Sequence, residues 1–194
     1  MTSGFDQNSY YQTTLSGIVI SKSTIPDTEF EDCVFKKVNM TDCTLERCRF
    51  ISCKFQDCVL SAIKPTNSFF TECRFENCKV IGVDWSLAKN VQFLSFTNCQ
   101  INYSNFRFLK LPKLIVTNCT AKETDFTEAD ISEGNFEGTD FEGTRFLKTK
   151  LMKANFKNAR NYSIDIRNNT IKGAQFSFPE AMSLLNGLEI TIDF

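Results

Sequence analysis

Residues 123–142 hold eight carboxylates and neither lysine nor arginine: Glu123, Asp125, Glu128, Asp130, Glu133, Glu137, Asp140 and Glu142. The whole chain holds nine cysteines and no histidine. Crowded carboxylates can serve acid–base chemistry or a surface that imitates nucleic-acid phosphates, and thiols can serve nucleophilic, redox or metal chemistry. Without histidine there is no imidazole base, no Ser/His or Cys/His dyad and no imidazole ligand. The nearest cysteines are five residues apart, so no C-x-x-C metal spacing occurs. An odd count of cysteines, with no apolar leader in residues 1–14, does not read as a disulfide framework either. These residues predict no catalytic group, cofactor or metal, and their spacing demands another explanation.

That explanation is a repeat. Residues 31–60 fall into blocks of five, EDCVF KKVNM TDCTL ERCRF ISCKF QDCVL, each ending in Phe, Met or Leu. The phase runs from Ile25 to Trp85, slips by one residue and resumes from Phe96 to Phe176. Two residues before each large residue stands a small one, and all nine cysteines occupy that column, followed later by Thr, Ala and Gly. A period of five belongs to neither a helix nor a flat strand, so it must come from a repeating architecture. Local alternation then places two residues of each block inside and three outside. The cysteines read as buried, reduced, small hydrophobes.

The pattern resembles the pentapeptide-repeat family over roughly residues 18–176, and more loosely its quinolone-resistance Qnr branch, which shares a phase-breaking loop and an apolar C-terminal helix with a Leu-Leu pair. The resemblance implies an all-β fold, a right-handed quadrilateral β-solenoid of four blocks per coil. It also implies a non-catalytic protein, and, within the Qnr branch, binding to a type II topoisomerase such as DNA gyrase by DNA mimicry or through loops.

Charge supports four blocks per coil independently. A shift of twenty residues sets Asp125 against Arg145, Glu128 against Lys148, Asp130 against Lys150, Glu133 against Lys153, Glu137 against Lys157 and Asp140 against Arg160. A shift of fifteen sets Asp125 against Asp140. The acidic coil therefore reads first as a charge ladder, and only second as a DNA-like surface. A net charge of −1 favours neither nucleic acid nor membrane as a direct partner.

Breaks in the pattern point to binding, because insertions in repeat proteins gather on one face. At 61–68, Pro65 replaces the large residue and Ile63 overfills the small column, which predicts a corner bulge or a short loop, with Trp85 filling the space above Pro65. At 86–94 the phase slips. Leu87 should lie beneath the outward Phe108, and Trp85, Leu87, Val91, Phe93 and Phe108 form the candidate partner-binding patch. Asn161 falls in the large inward column, which predicts a loosened coil.

The expected organisation is a tail and lead-in strand over 1–17, the solenoid over 18–176, and a C-terminal cap over 177–194. FPEAMSLLNGL reads as an α-helix whose Ala181, Leu184, Leu185 and Leu188 lid the last coil. LEITIDF alternates as a strand. Leu184, Leu185, Leu188, Ile190, Ile192 and Phe194 are the candidate homodimer interface, since a solenoid end left open invites pairing. The resulting expectation is a cytoplasmic interaction protein with a protein partner.

Overall fold

The computed structural model describes residues 5–188 and residue 190. The chain winds as a parallel β-solenoid of about eight coils with about 20 residues each, one five-residue block to each of four faces. The first face stacks Ser9–Tyr11, Glu29–Glu31, Arg49–Ile51, Phe69–Thr71 and Asn90–Gln92. The second stacks Thr14–Ser16, Val34–Lys36, Lys54–Gln56, Arg74–Glu76, Ser95–Thr97 and Ile115–Thr117. The third pairs Val19–Ser21 with Asn39–Thr41, and the fourth pairs Thr24–Pro26 with Thr44–Glu46. Single parallel bridges carry the twenty-residue step onward, among them Asp125 to Arg145 and Asp140 to Arg160. No helix among the described residues is long and apolar enough to cross a membrane.

Each block runs out, in, out, and then turns. The turning residues have φ between +46° and +65° where they are not glycine. Asn and Asp tolerate this left-handed region best, and the corners hold Asp27, Asp32, Asp42, Asp57, Asn67, Asn77, Asn98 and Asn118. Lysine, glutamate and arginine are held there too, because the corner amide is anchored to the next coil. Asp27 N–H donates to the Glu46 carbonyl at 2.8 Å, and Lys37 N–H to the Gln56 carbonyl at 2.9 Å.

Inside, like residues stack on like. On the first face the Tyr10, Phe30, Phe50 and Phe70 rings lie 5.2, 4.9 and 4.7 Å apart with planes within 14° of parallel. On the second, Phe35, Phe55, Phe75 and Phe96 lie 4.5, 4.7 and 4.8 Å apart. These spacings match the distance between neighbouring strands, so ring stacking and backbone pairing are satisfied by one geometry.

The ladder begins nine residues before the expected start at 18, because Tyr10 and Leu15 already continue the five-residue phase. Phe5 is in phase as well. It is buried and meets Tyr10, Phe30 and Phe35 edge-on, closing the lower end. The stretch 61–68 does not bulge. Thr44 bridges Lys64 and Arg49 pairs with Phe69 in unbroken register, with Ile63 and Pro65 inside.

Asn161 does not point inward. It turns at φ +58° and its Nδ2 donates to Asp140 Oδ1 at 2.8 Å, while Tyr162 takes the inward place one residue later. The coil is irregular there, with Phe146 bridging Ile164. At the upper end Tyr162 and Phe176 pack on Phe156 at 5.8 and 5.3 Å. The cap helix spans Glu180–Leu188 but is wound as a 3-10 helix. Three residues per turn spread the apolar side chains around the helix instead of aligning them at i, i+4. As a result none is fully buried, Leu184 packs against the core, and Leu188 stays 40% exposed.

Phe136 has no solvent exposure, lies 4.9 Å from Phe156, and sits above Val116, whose amide donates to the Asn135 carbonyl. A Cβ on Gly134 would stand 2.6 Å from its ring, so the small column makes room for the large one. Phe136→Ala should destabilise the fold by about 3–5 kcal/mol in urea unfolding; a loss under about 1 kcal/mol would contradict its place in the core.

Candidate functional site

The thiols are not chemically available. All nine cysteines are unpaired and buried. Burial pushes Cys48 up to about 11 and Cys53 up to about 12. Cys119 is held below its ordinary value by its hydrogen bond with Cys99, but it is as inaccessible as the rest.

Their role is structural, and more specific than filling space. Each thiol lies 3.1–3.6 Å from the carbonyl oxygen of a large inward residue in the coil below: Cys58 reaches Phe35, Cys78 reaches Phe55, Cys99 reaches Phe75 and Cys119 reaches Phe96. In one column each sulfur also accepts an amide from the coil below, Cys58 N–H to Cys78 Sγ, Cys78 to Cys99 and Cys99 to Cys119, at 3.2–3.3 Å. Ser68, Ser104 and Thr139 hydroxyls do the same for Cys48, Val83 and Cys119. At these positions the small side chain both donates and accepts, which the alanines of the same column, Ala129, Ala154 and Ala159, do not do. Reading the cysteines as small hydrophobes missed this, since the vertical partner lies twenty residues away; the shared column of Cys, Ser and Thr was the available signal.

Five of the eight acids are ion-paired, two of them from both sides. Asp125 lies 3.4 Å from Arg145 above and 3.9 Å from Arg107 below. Asp140 lies 3.6 Å from Arg160 and 3.9 Å from Lys122. Glu128 meets Lys148 at 3.8 Å and Asp130 meets Lys150 at 3.5 Å, whereas Glu133 and Glu137 make no ion pair within 4.0 Å among the described residues. Burial works against the charge on Asp140, but Asn161, the Glu142 amide, Arg160 and Lys122 together outweigh it and hold its carboxyl below the ordinary value. Among the described residues no three Cys, Asp or Glu side chains gather as a metal site.

The phase slip builds the most distinctive surface. Pro65 has no N–H to give to the coil above. The Asp84 carbonyl instead accepts Leu87 N–H at 3.3 Å, and Asp84 Oδ1 caps Ser86 N–H at 3.0 Å, starting a 3-10 turn over Trp85–Leu87. The turn absorbs one extra residue: Phe69 pairs with Asn90, twenty-one residues on. Trp85 is fully buried above Pro65 and stacks on Phe106 at 6.0 Å.

The sequence-predicted patch therefore divides. Leu87, Phe93 and Phe108 are 43%, 57% and 60% exposed. Val91 is core, because it sits in register on Phe70 and must share its inward direction. Leu87 and Phe108 lie at the corner between the fourth and first faces, and Phe93 at the next corner, so the first face separates them. Among the described residues the aromatic left-handed corners are Phe93, Tyr103 and Phe108, and all three are exposed. Phe93 also borders a groove of about 420 Å³ with Arg74, Lys113 and Ile115. At the C-terminal end Leu188 and Ile190 are 40% and 56% exposed, Leu185 is half-buried, and Ile192 and Phe194 lie outside the described residues.

A parallel solenoid with four blocks per coil and a stacked core defines the class: a structural repeat protein. Residues 24–106 match the family described as pentapeptide repeat region, and 122–158 match pentapeptide repeats in eight copies. Together they take in well over half of the chain, which belongs to the pentapeptide-repeat family. No curated protein sequence matches the chain. Among solved structures it resembles full-length QnrB1, a plasmid-mediated fluoroquinolone resistance protein, with a TM-score of 0.57 and 19% identity over 94% of this chain and 100% of that one. A trypsin-treated variant of QnrB1 gives 0.53 and 20%, covering 96% and 99%. HetL from the cyanobacterium Nostoc sp. strain PCC 7120, involved in heterocyst differentiation regulation, gives 0.45 and 11%, covering 87% of each chain.

Replacing Cys99 separates the two roles of the small column. Cys99→Ala removes the acceptor of a buried amide and should destabilise the protein by about 1–3 kcal/mol. Cys99→Ser keeps donor and acceptor and should recover most of that in the same urea titration; equal stability of the two variants would contradict the assignment.

Proposed function

We propose that this chain is a non-catalytic interaction module that binds another protein through the side of the solenoid around the Trp85–Leu87 turn. The observation that carries this reading is the exposure of Phe93 and Phe108 at left-handed corners. Such a backbone disfavours a bulky residue, water disfavours an aromatic surface, and neither ring is recruited to the core. Leu87 beneath Phe108 extends the apolar surface. The full-length likeness to QnrB1 favours a second reading, a type II topoisomerase as the partner. Ion pairing of five of the eight acids in that coil speaks against DNA mimicry by it, so contact through the same corners is the form this reading takes.

Capture from a bacterial lysate by the wild type and by a Phe93→Ser/Phe108→Ser variant of equal melting temperature tests the first reading. A partner retained by the wild type and lost from the variant is expected; equal capture by both would count against it. A gyrase supercoiling assay with and without a quinolone tests the second. Dose-dependent inhibition or protection supports it, and no effect removes it.

The C-terminal end is proposed as a homodimer contact through Leu185, Leu188 and Ile190, continued by Ile192 and Phe194. Exposed Leu188 and Ile190, with Phe178 at 78% exposure nearby in sequence, support this. Sedimentation should give a dimer for the full chain and a monomer for a version ending at Gly187. A full-length monomer at tens of micromolar, or a truncated dimer, would refute it.

A further inference from the structure

From residue 85 to residue 122 the chain contains Lys89, Arg107, Lys110, Lys113 and Lys122 and not one acid. These cations fall into two groups. Arg107 and Lys122 lie against Asp125 and Asp140 of the acidic coil above. Among the described residues Lys89, Lys110 and Lys113 have no carboxylate within 4.0 Å, and all three are exposed. All three lie on one side of the solenoid. Lys89 follows the turn at the Leu87 corner, with its Nζ 5.5 Å from the centre of the Phe69 ring. Lys110 occupies the first face and bridges Asp130 through the backbone, and Lys113 forms the next corner at φ +65°. Phe108 and Leu87 border this side at one edge, and Phe93 with Ile115, which is 38% exposed, at the other. The groove of about 420 Å³ beside Phe93 opens at that second edge, between Arg74 and Lys113.

We propose that this side of the solenoid docks an acidic polypeptide segment in which carboxylates are interleaved with apolar side chains. The inference rests on the interaction-module reading and names the chemistry of the partner. Unpaired lysines in an acid-free segment give charge complementarity to carboxylates. The groove beside Phe93 takes an apolar side chain between them. An extended segment with alternating acidic and apolar residues turns the two kinds to opposite sides, so lying along the first face it can direct its carboxylates toward the lysines at one side and its apolar side chains toward the groove beside Phe93 at the other. A nucleic-acid strand fits less well, because Glu72 lines the foot of the groove and Glu128, Asp130 and Glu133 stand in the coil above. A phosphate on every nucleotide would meet those acids, whereas a polypeptide can place its charges selectively.

The test uses the full chain and fluorescence anisotropy of a labelled ten-residue peptide alternating Glu and Phe, with a labelled oligo(dT) as the competing probe. The variants are Lys89→Glu/Lys110→Glu/Lys113→Glu and, separately, Phe93→Ser, each with its melting temperature measured as a fold control. Saturable binding of the peptide is expected, weakened about tenfold or more by the triple reversal and by raising salt from about 20 to about 200 mM, and weakened by Phe93→Ser. Absence of saturable binding, equal binding by the triple variant, or tighter binding of oligo(dT) would each overturn the proposal. Lysate capture that depends on Phe93 and Phe108 but not on the three lysines would leave the interaction-module reading standing while removing the acidic partner.

Discussion

Each coil must lie directly on the coil beneath it at the spacing of hydrogen-bonded strands, and every other feature follows from that constraint. The first-face rings, 4.7–5.2 Å apart from Tyr10 to Phe70, show the core obeying it. Because the step is common to all side chains, it also fixes what stands over what on the surface and at the corners. Acids come to rest over lysines and arginines, thiols over amides, and asparagines over asparagines. A stack of this kind gains stability rung by rung, with each coil contacting only its neighbours.

This explains which parts of the molecule were legible in the sequence. A vertical relation appears as a periodicity, so the inward columns, the coil length and the charge ladder could be read directly, and the structure places Asp125, Glu128, Asp130 and Asp140 against the expected cations above. Lys122 below Glu142 was equally legible by the same shift taken downward, whereas Arg107 reaches Asp125 across a separation of eighteen that the shift does not give. Backbone-level events were not. Val91 carries the side chain of a patch residue, but its direction follows from pairing with Phe70 after the extra residue has been absorbed. Asn161 stands where a large residue belongs by count, yet asparagine's tolerance of positive φ lets the chain turn there and pass the inward place to Tyr162. The cap helix has α-helical spacing in its sequence and 3-10 winding in the structure.

The same stacking constraint bears on function. It occupies the groups that might have done chemistry, with the cysteines bonded vertically inside and most of the acidic coil paired outside. What it leaves over is found where the register is interrupted. Pro65 withholds an amide, the Trp85–Leu87 turn absorbs a residue, and the coil that follows carries the exposed aromatic corners and the unpaired lysines. One coil of twenty-one residues in a ladder of twenty is thus the source of this surface.

The claim that a coil is four blocks, stacked in register, is tested most directly by deletion. Removing residues 36–55 takes out one complete coil and returns every remaining column to its own kind, joining Phe35 to Gln56. Removing residues 36–50 takes out three blocks and sets every later column one face out of step with the coils below. Circular dichroism during urea unfolding should show a cooperative, β-rich protein for the first deletion and loss of the native transition for the second. Equal stability of the two deletions, or survival of the shorter alone, would contradict the account.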